Sequence, residues 1–283
     1  MIPPDILFAY LAVLSFLFGA CIGSFLNVCI YRIPIELSVV SPPSHCFQCK
    51  TPVRWYDNVP LVSYVVLRGS CRHCHASYSA RYVLVELLTA VLFLLVWFLF
   101  AGDAGQVVLD PRIPVYWLVI SGLIMGTFVD FDHLIIPDRV SIGGMIAGVL
   151  CSLLVPSLHG VDTAAAAGIQ SLIGLAVGFG GLWLVARIGS MVFKQEAMGF
   201  GDVKLLGGIG AFFGWEAVLF TVLISSFVGS IVGVGIIVAK GREWQSRIPY
   251  GPYLALGAVV WMLWGHEWWK MYLALLSGPG AGA

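Results

Sequence analysis

The sequence predicts an all-α polytopic membrane protein with about eight transmembrane helices and one small polar loop domain. Of its 283 residues, 59% are hydrophobic and only 11% are charged, and the mean hydropathy is +0.94. Soluble domains are nearer half apolar and a quarter charged, so this composition excludes an ordinary soluble globule and a disordered chain. Fifteen Lys and Arg balance fifteen Asp and Glu, so the chain lacks the basic field that recruits nucleic acid.

Eight apolar stretches are the candidate spans. The first, 6–30, has no basic segment before it and no small-residue cleavage site after it, so we expect a retained helix and not a cleaved signal peptide. The others are 83–101, 115–129, 140–155, 164–185, 205–213, 217–239 and 250–264. Several are shorter than the ~20 residues needed to cross about 30 Å of hydrocarbon, and the span at 205–213 is the weakest. Small residues let helices pack closely in lipid, as we expect at Gly174, Gly178 and Gly181.

The basic residues are distributed asymmetrically between these spans. If the N-terminus is extracytoplasmic, the cytoplasmic segments hold thirteen of the fifteen Lys and Arg, and only Arg112 and Lys270 lie outside. Cytoplasmic loops of membrane proteins carry such an excess. These segments are 32–82, 130–139, 186–204 and 240–249. We therefore expect both termini to be extracytoplasmic.

The segment 32–82 is the one long polar loop, and it contains two Cys-x-x-Cys pairs separated by twenty-one residues. Four thiolates at this spacing are typical of a structural zinc site, which would supply the folding free energy that about fifty residues lack. The four cysteines are Cys46, Cys49, Cys71 and Cys74. Three histidines could each replace a thiolate: His45, His73 and His75. Two disulfides are the alternative, but the reducing cytoplasm disfavours them. The sequence therefore predicts a small zinc-binding cytoplasmic loop domain.

Two acidic motifs stand beside short apolar stretches. One runs from Asp130 to Asp138 (DFDHLIIPD), and the other is the G-F-G-D of 199–202. Both would face the cytoplasm. Two carboxyl groups in a partly desolvated site tend to share one proton, so that one acts as a base toward water while the other protonates a scissile carbonyl. On the residues alone, the alternative stays open that these acids mark an interface or pair with Arg139 and Lys204.

Together these motifs resemble those of the type IV prepilin peptidases, membrane aspartyl proteases of the GxGD type. The resemblance extends over nearly the whole chain, through motifs at 23–28 (GSFLNV, with Arg32 and Pro34 after it), 58–64 (NVPLVSY), 79–82 (SARY), 85–90 (VELLTA) and 248–255 (IPYGPYLA). Two departures are small. Phe47 stands where many relatives have proline, and the separation of the two acidic motifs is slightly longer than expected.

The resemblance implies a bifunctional enzyme of the bacterial inner membrane with its active site facing the cytoplasm. It would cleave the basic leader of type IV prepilins or type II secretion pseudopilins after a Gly, and then methylate the new N-terminus with S-adenosylmethionine. Asp130 and Asp202 match the catalytic pair, with Asp132 and Asp138 as companions. No residue is assigned to S-adenosylmethionine, because no G-x-G-x-x-G follows a predicted strand.

The resemblance also implies a division of labour along the chain: a first helix (1–31), a zinc-binding loop associated with methyl transfer (32–82) and a peptidase domain (83–283). We expect Glu86 to be an interfacial acid or a partner of Arg81, in preference to a role in methyl transfer. Asn27 is expected to form an interhelical hydrogen bond.

Two other functional classes stay open. A transporter could use these acids as proton relays, although the sequence has no recognisable inverted repeat. A zinc-dependent assembly subunit could use them structurally. The expected partners are prepilin or pseudopilin substrates and membrane lipid.

Overall fold

The structure, a computed structural model, describes residues 3–103, 105–194, 198–240 and 249–277. The long helices are α1 (Pro4–Arg32), α3 (Arg81–Phe100), α4 (Arg112–His133), α5 (Asp138–Leu154), α6 (Ala164–Phe193) and α7 (Phe200–Lys240). The shorter elements are a 3-10 turn (Trp55–Asp57), α2 (Val62–Val66), an antiparallel pair β1 (Gly102–Asp103) and β2 (Gln106–Val107), a second 3-10 turn (Pro156–His159), α8 (Gly251–Val260), a π-turn (Trp261–Gly265) and α9 (His266–Ser277). The motif residue Ile248 and the predicted cytoplasmic residues Arg242 and Arg247 lie outside the described residues.

The chain divides into two compact units, Met1–Val129 and Asp130–Ala283. In the first unit α1 and α3 pack closely, because glycines of α1 face the backbone of α3. A Cβ on Gly19 would lie 2.8 Å from the Cα of Ala90, and one on Gly23 would lie 2.7 Å from the Cα of Glu86. Larger residues at these two positions would force the helices apart.

The second unit is built on the packing of α5, α6 and α7. A Cβ on Gly174 would collide with the backbone of Gly210, and one on Gly178 would collide with Leu206, which confirms the predicted role of these two glycines of α6. Gly181 does not share that role, since a Cβ there would meet no atom within 4 Å. Gly148 of α5 approaches α7 in the same way.

Helix α7 is interrupted at Gly214, whose φ of 83° and ψ of 179° are not helical. A break of this kind interrupts the i to i−4 hydrogen bonds and exposes the carbonyls before it. The carbonyl of Ala211 accepts hydrogen bonds from the hydroxyls of Ser171 (2.6 Å) and Ser152 (3.1 Å). Ser152 also contacts Nε2 of His159 at 2.8 Å. Polar side chains of three other elements therefore stabilise the break.

The predicted count of eight spans is not confirmed. Among the described residues, five helices are long and apolar enough to cross a membrane: α1, α3, α4, α6 and α7. The stretches predicted at 205–213 and 217–239 lie on either side of the break at Gly214, as predicted, but helix α5 has only 17 residues and the last helical region changes to a π-turn after ten. The protein is accordingly a helical multi-pass membrane protein with five candidate spans among its described residues.

Candidate functional site

The two acids predicted to be catalytic both lie in the second unit and are both buried. Asp130 occupies the last turn of α4 and is 5% exposed, and Asp202 occupies the first turn of α7 and is 9% exposed. The N-terminal turn of a helix favours a carboxylate, because its unpaired N–H groups carry partial positive charge. The two carboxyl groups lie close enough to interact electrostatically. The structure therefore brings together two side chains that are 72 positions apart in the sequence.

Ile136 lies close to two glycines, one next to each acid. A Cβ on Gly201, the neighbour of Asp202, would lie 3.1 Å from the Cβ of Ile136. A Cβ on Gly251 would lie 3.1 Å from Cδ1 of the same isoleucine and 2.8 Å from Oδ2 of Asp130. The glycines therefore allow backbone to approach both the buried isoleucine and the buried acid closely, and a larger residue at either position would require these side chains to shift.

The backbone N–H of Gly251, at the start of α8, donates a hydrogen bond to Oδ2 of Asp130 at 3.0 Å. The residue before it, Tyr250, is held by α7, because its hydroxyl lies 2.7 Å from Oγ of Ser225 and 3.4 Å from Oγ of Ser226. In the sequence Gly251 is recognisable only as part of the motif at 248–255, which assigns it no role. Nothing local in the sequence indicates a partner 121 residues away.

The companion acid Asp138 is not part of the buried pair. Its side chain is 65% exposed and forms an ion pair with Lys204, which also lies 5.3 Å from the ring centre of Phe200. The alternative considered from the residues alone, pairing with Lys204, therefore holds for Asp138. Asp132 is exposed, in contrast to Asp130 two positions earlier.

The four predicted zinc ligands converge in the first unit. Their sulfur atoms all lie within 4.8 Å of one another, with Cys46 and Cys74 at 3.7 Å and Cys49 and Cys71 at 3.9 Å. A tetrahedral zinc ion with Zn–S bonds of about 2.3 Å needs sulfurs roughly 3.8 Å apart, whereas a disulfide needs about 2.05 Å. The four thiols therefore fit a tetrahedral zinc ion, and no predicted histidine belongs to the cluster among the residues that the structure describes.

The two cysteine turns have the same local geometry. The N–H groups of Lys50 and His75 donate to the carbonyls of Cys46 and Cys71 at 3.0 Å, and both residues have φ of 58°. One isolated β-bridge flanks each turn, joining His45 to Pro52 and Ser70 to Ser77. Two copies of one turn therefore present their thiols to a common centre.

Backbone N–H groups within each turn favour the thiolate form. Those of Cys49 and Gln48 lower the pKa of Cys46 to about 6, and those of Cys74 and His73 lower the pKa of Cys71. Zinc binds thiolate and not thiol, so these groups favour metal binding at neutral pH.

Two further polar residues form hydrogen bonds between elements of the first unit. Asn27 of α1 donates to the carbonyl of Tyr82 at 3.0 Å, which confirms the predicted interhelical hydrogen bond. Glu86 of α3 accepts a hydrogen bond from the N–H of Leu61 at 2.7 Å. Glu86 therefore holds the loop at Leu61, a role that sequence analysis did not assign to it.

Comparisons with family models and with known proteins identify the same family. The family description "Bacterial Peptidase A24 N-terminal domain" matches residues 17–100, and "Type IV leader peptidase family" matches 117–234. The relative from Aeromonas hydrophila, named prepilin leader peptidase/N-methyltransferase, is 34% identical over 92% of this chain and 93% of its own. The relative of the same name from Pseudomonas aeruginosa is 33% identical over 92% of this chain and 92% of its own. The one from Myxococcus xanthus is 40% identical over 82% of this chain and 64% of its own. No solved structure matches. With both acids, four convergent thiols and relatives aligned over most of its length, the chain belongs to the prepilin leader peptidase/N-methyltransferase family.

Proposed function

We propose that this protein is an aspartyl endopeptidase of the membrane whose catalytic residues are Asp130 and Asp202. The observation that supports this proposal best is the pairing of two buried carboxyl groups at the ends of two long apolar helices. Buried acids in such helices are costly and generally functional. Within the described residues neither acid forms an ion pair with a basic side chain, whereas the exposed Asp138 does.

The chemistry follows from one proton shared by the two acids, since like charges at close range do not both ionise readily. The ionised carboxylate takes a proton from water, whose oxygen attacks the scissile carbonyl carbon, while the protonated partner donates its proton to the carbonyl oxygen. The resulting diol collapses when the first acid returns its proton to the leaving nitrogen and the partner carboxylate takes back a proton from one diol hydroxyl, so that the C–N bond breaks, a carboxylic acid forms and the pair again holds one proton. The N–H of Gly251 holds one oxygen of Asp130, so that the carboxyl group keeps one orientation.

The substrates are the leader sequences of type IV prepilins or type II secretion pseudopilins. The name that the relatives carry, prepilin leader peptidase, supports this substrate class. A basic leader is attracted to the anionic cytoplasmic leaflet, and the apolar helix that follows it would lie in the bilayer beside the acids. We place the active site at the cytoplasmic face of the bacterial inner membrane and both termini outside the cytoplasm, as the distribution of basic residues favours.

The second activity is methylation of the new N-terminus, which the relatives' name, N-methyltransferase, supports. S-adenosylmethionine supplies an electrophilic methyl group to the amine that cleavage releases. We assign this reaction to the loop domain 32–82 beside the first helix (1–31), and cleavage to residues 83–283. Zinc held by the four cysteines would cross-link the two turns of a loop that is too small for a core of its own.

The proposal is tested with the purified full-length protein, a synthetic prepilin in detergent and S-adenosylmethionine. Mass spectrometry of the product should show loss of the leader and a gain of one methyl group at the new N-terminus. Uncleaved prepilin from a correctly folded, zinc-containing preparation would contradict the peptidase assignment. Cleaved but unmethylated product at saturating donor would restrict the protein to the first reaction.

A further inference from the structure

A cavity of about 290 Å³ lies in the first unit, between the C-terminal end of α1 and the loop that follows it. Its volume is close to the lower limit of about 300 Å³ for pockets that take drug-sized ligands. One wall is a single face of α1, formed by Ser24, Asn27, Val28 and Tyr31. The opposite walls come from the first cysteine turn, from the segment between the two turns and from Tyr78 and Tyr82 after the second turn.

Arg32 lines this cavity with a buried charge. It is 8% exposed, and its Nη1 and Nη2 donate to the carbonyls of Ser38 at 2.9 Å and Pro42 at 2.7 Å. Both acceptors are neutral, and none of the carboxylates in the described residues forms an ion pair with this guanidinium. A buried cation is costly unless an anion compensates it, and a guanidinium has five N–H donors, so donors remain for a ligand. The cavity is therefore suited to a ligand with a carboxylate or similar anion.

Aromatic rings stand in the rest of the lining among polar and aliphatic side chains and a second cation, Lys50. Five rings contribute to it: Tyr31, Phe47, Tyr64, Tyr78 and Tyr82. Tyr31 and Phe47 are in edge contact with their centroids 5.3 Å apart, which joins α1 to the first cysteine turn. Aromatic faces bind flat heterocycles by stacking and attract cations through their π-systems. These rings suit a ligand that carries both a purine and a positive charge.

Asp57 gives the cavity a negative group. Its carboxylate accepts from Nε of Arg72 at 2.9 Å, and this interaction lowers the pKa of Asp57, so the group is ionised at neutral pH. An ionised carboxylate has lone pairs for more than one donor. Asp57 can therefore accept hydrogen bonds from ribose hydroxyls or from an ammonium group while it remains hydrogen-bonded to Arg72.

We propose that this cavity is the S-adenosylmethionine site, with the methionyl carboxylate of the ligand bound by Arg32 and its adenine against the aromatic lining. S-adenosylmethionine combines a carboxylate, an ammonium group, a sulfonium cation and a purine, and the lining offers a complementary group to each. The proposal rests on the proposed methyltransferase function and names the site where the donor binds.

The test compares two ligands that differ only in the carboxylate. Isothermal titration of the full-length, zinc-containing protein in detergent measures the Kd of S-adenosylmethionine and of its decarboxylated form. The wild-type protein should bind S-adenosylmethionine about 10- to 100-fold more tightly, the range expected for one charge-assisted pair. Arg32→Gln should weaken S-adenosylmethionine by the same factor and leave the decarboxylated ligand nearly unchanged, so that the preference disappears. Arg32→Lys, which keeps the charge, should restore part of it.

Arg68→Gln is the matched control, because it removes an exposed guanidinium from the same loop at a position outside the cavity lining. It should bind both ligands as the wild type does. Zinc content, measured on each variant, shows whether the loop has folded. If Arg32→Gln loses its zinc, the two affinities of the wild-type protein still show whether the ligand's carboxylate contributes to binding.

Equal affinity of the wild-type protein for the two ligands would overturn the proposal, and so would a zinc-containing Arg32→Gln that keeps the preference. These results are distinguishable from failure of the proposed function. Methylated prepilin from the wild-type protein, together with either negative result, would leave the activity in place and move the donor site elsewhere. A wild-type protein that neither methylates prepilin nor binds S-adenosylmethionine would overturn both proposals.

Discussion

Gly251 and Asp130 are joined by a hydrogen bond of 3.0 Å from a backbone N–H to a buried carboxylate oxygen, although 121 residues separate them. The glycine is required sterically as well as for its N–H, since a Cβ would lie 2.8 Å from the same oxygen. One residue therefore fixes the position of a proposed catalytic acid and sets the space around it.

Replacing Gly251 with alanine should lower the rate of leader cleavage by about 10- to 100-fold, because a displacement of about 1 Å at a reacting group can cost ~10²-fold. Expression and membrane insertion should be unchanged. The measurement is kcat for a synthetic prepilin. Gly180→Ala is the matched control, since a Cβ there would meet no atom within 4 Å. Wild-type kcat in Gly251→Ala would show that a Cβ at this position does not displace Asp130, and that close approach of a glycine is not required there.

The two proposed catalytic acids should each be essential. Asp130→Asn and Asp202→Asn keep the side-chain shape but cannot exchange a proton with water, so each should reduce cleavage by at least ~10²–10⁴-fold. Because groups that act as a unit lose nearly everything when one is removed, the double variant should be little worse than either single one. Cleavage is measured in membranes, with insertion and zinc content as controls.

Asp138→Asn serves as the matched comparison for these variants, because Asp138 is exposed and paired with Lys204. It should retain measurable cleavage, as should Asp132→Asn. An inactive Asp138→Asn combined with an active Asp130→Asn would move the first catalytic acid to position 138. Full activity in Asp202→Asn would end the aspartyl-protease assignment.

One zinc ion per chain should bind to the four cysteines. Cys46→Ser and Cys71→Ser should lose the metal and destabilise the loop, since a three-thiolate site is incomplete and the loop has little core to replace it. Elemental analysis of purified protein checks the stoichiometry. Cys21→Ser, at an exposed position of α1, should keep one zinc. Metal-free wild-type protein, or disulfides among these cysteines in cells, would refute the assignment.

Gly214→Ala should destabilise the protein by about 1–3 kcal/mol, because φ of 83° with ψ of 179° is a conformation that only glycine adopts readily. The variant should show a lower thermal unfolding midpoint in detergent. Gly143→Ala, where a Cβ meets no atom within 4 Å, should leave the midpoint unchanged. An unaltered midpoint in Gly214→Ala would mean that α7 can straighten at this position without cost.

Features that depend on composition or on short spacing could be predicted from the sequence. Hydrophobic content identified a multi-pass helical protein, and the two Cys-x-x-Cys pairs predicted a cluster that the structure places within 4.8 Å. A turn of four residues orients two thiols by local geometry alone, so little depends on the rest of the fold. The buried pair of Asp130 and Asp202 was indicated by motif resemblance, and its role stays a prediction.

Features that depend on how helices pack could not be predicted in this way. The sequence by itself determined a polytopic helical membrane protein, with a four-cysteine cluster in its long polar loop, because hydropathy and ligand spacing are local properties. Only the tertiary structure decided that hydroxyls of α5 and α6 bind the carbonyl before the break at Gly214, that Glu86 accepts a hydrogen bond from Leu61, and that Gly251 donates one to Asp130. Each of these contacts joins groups at least 25 residues apart in the chain, and such contacts are set by tertiary packing.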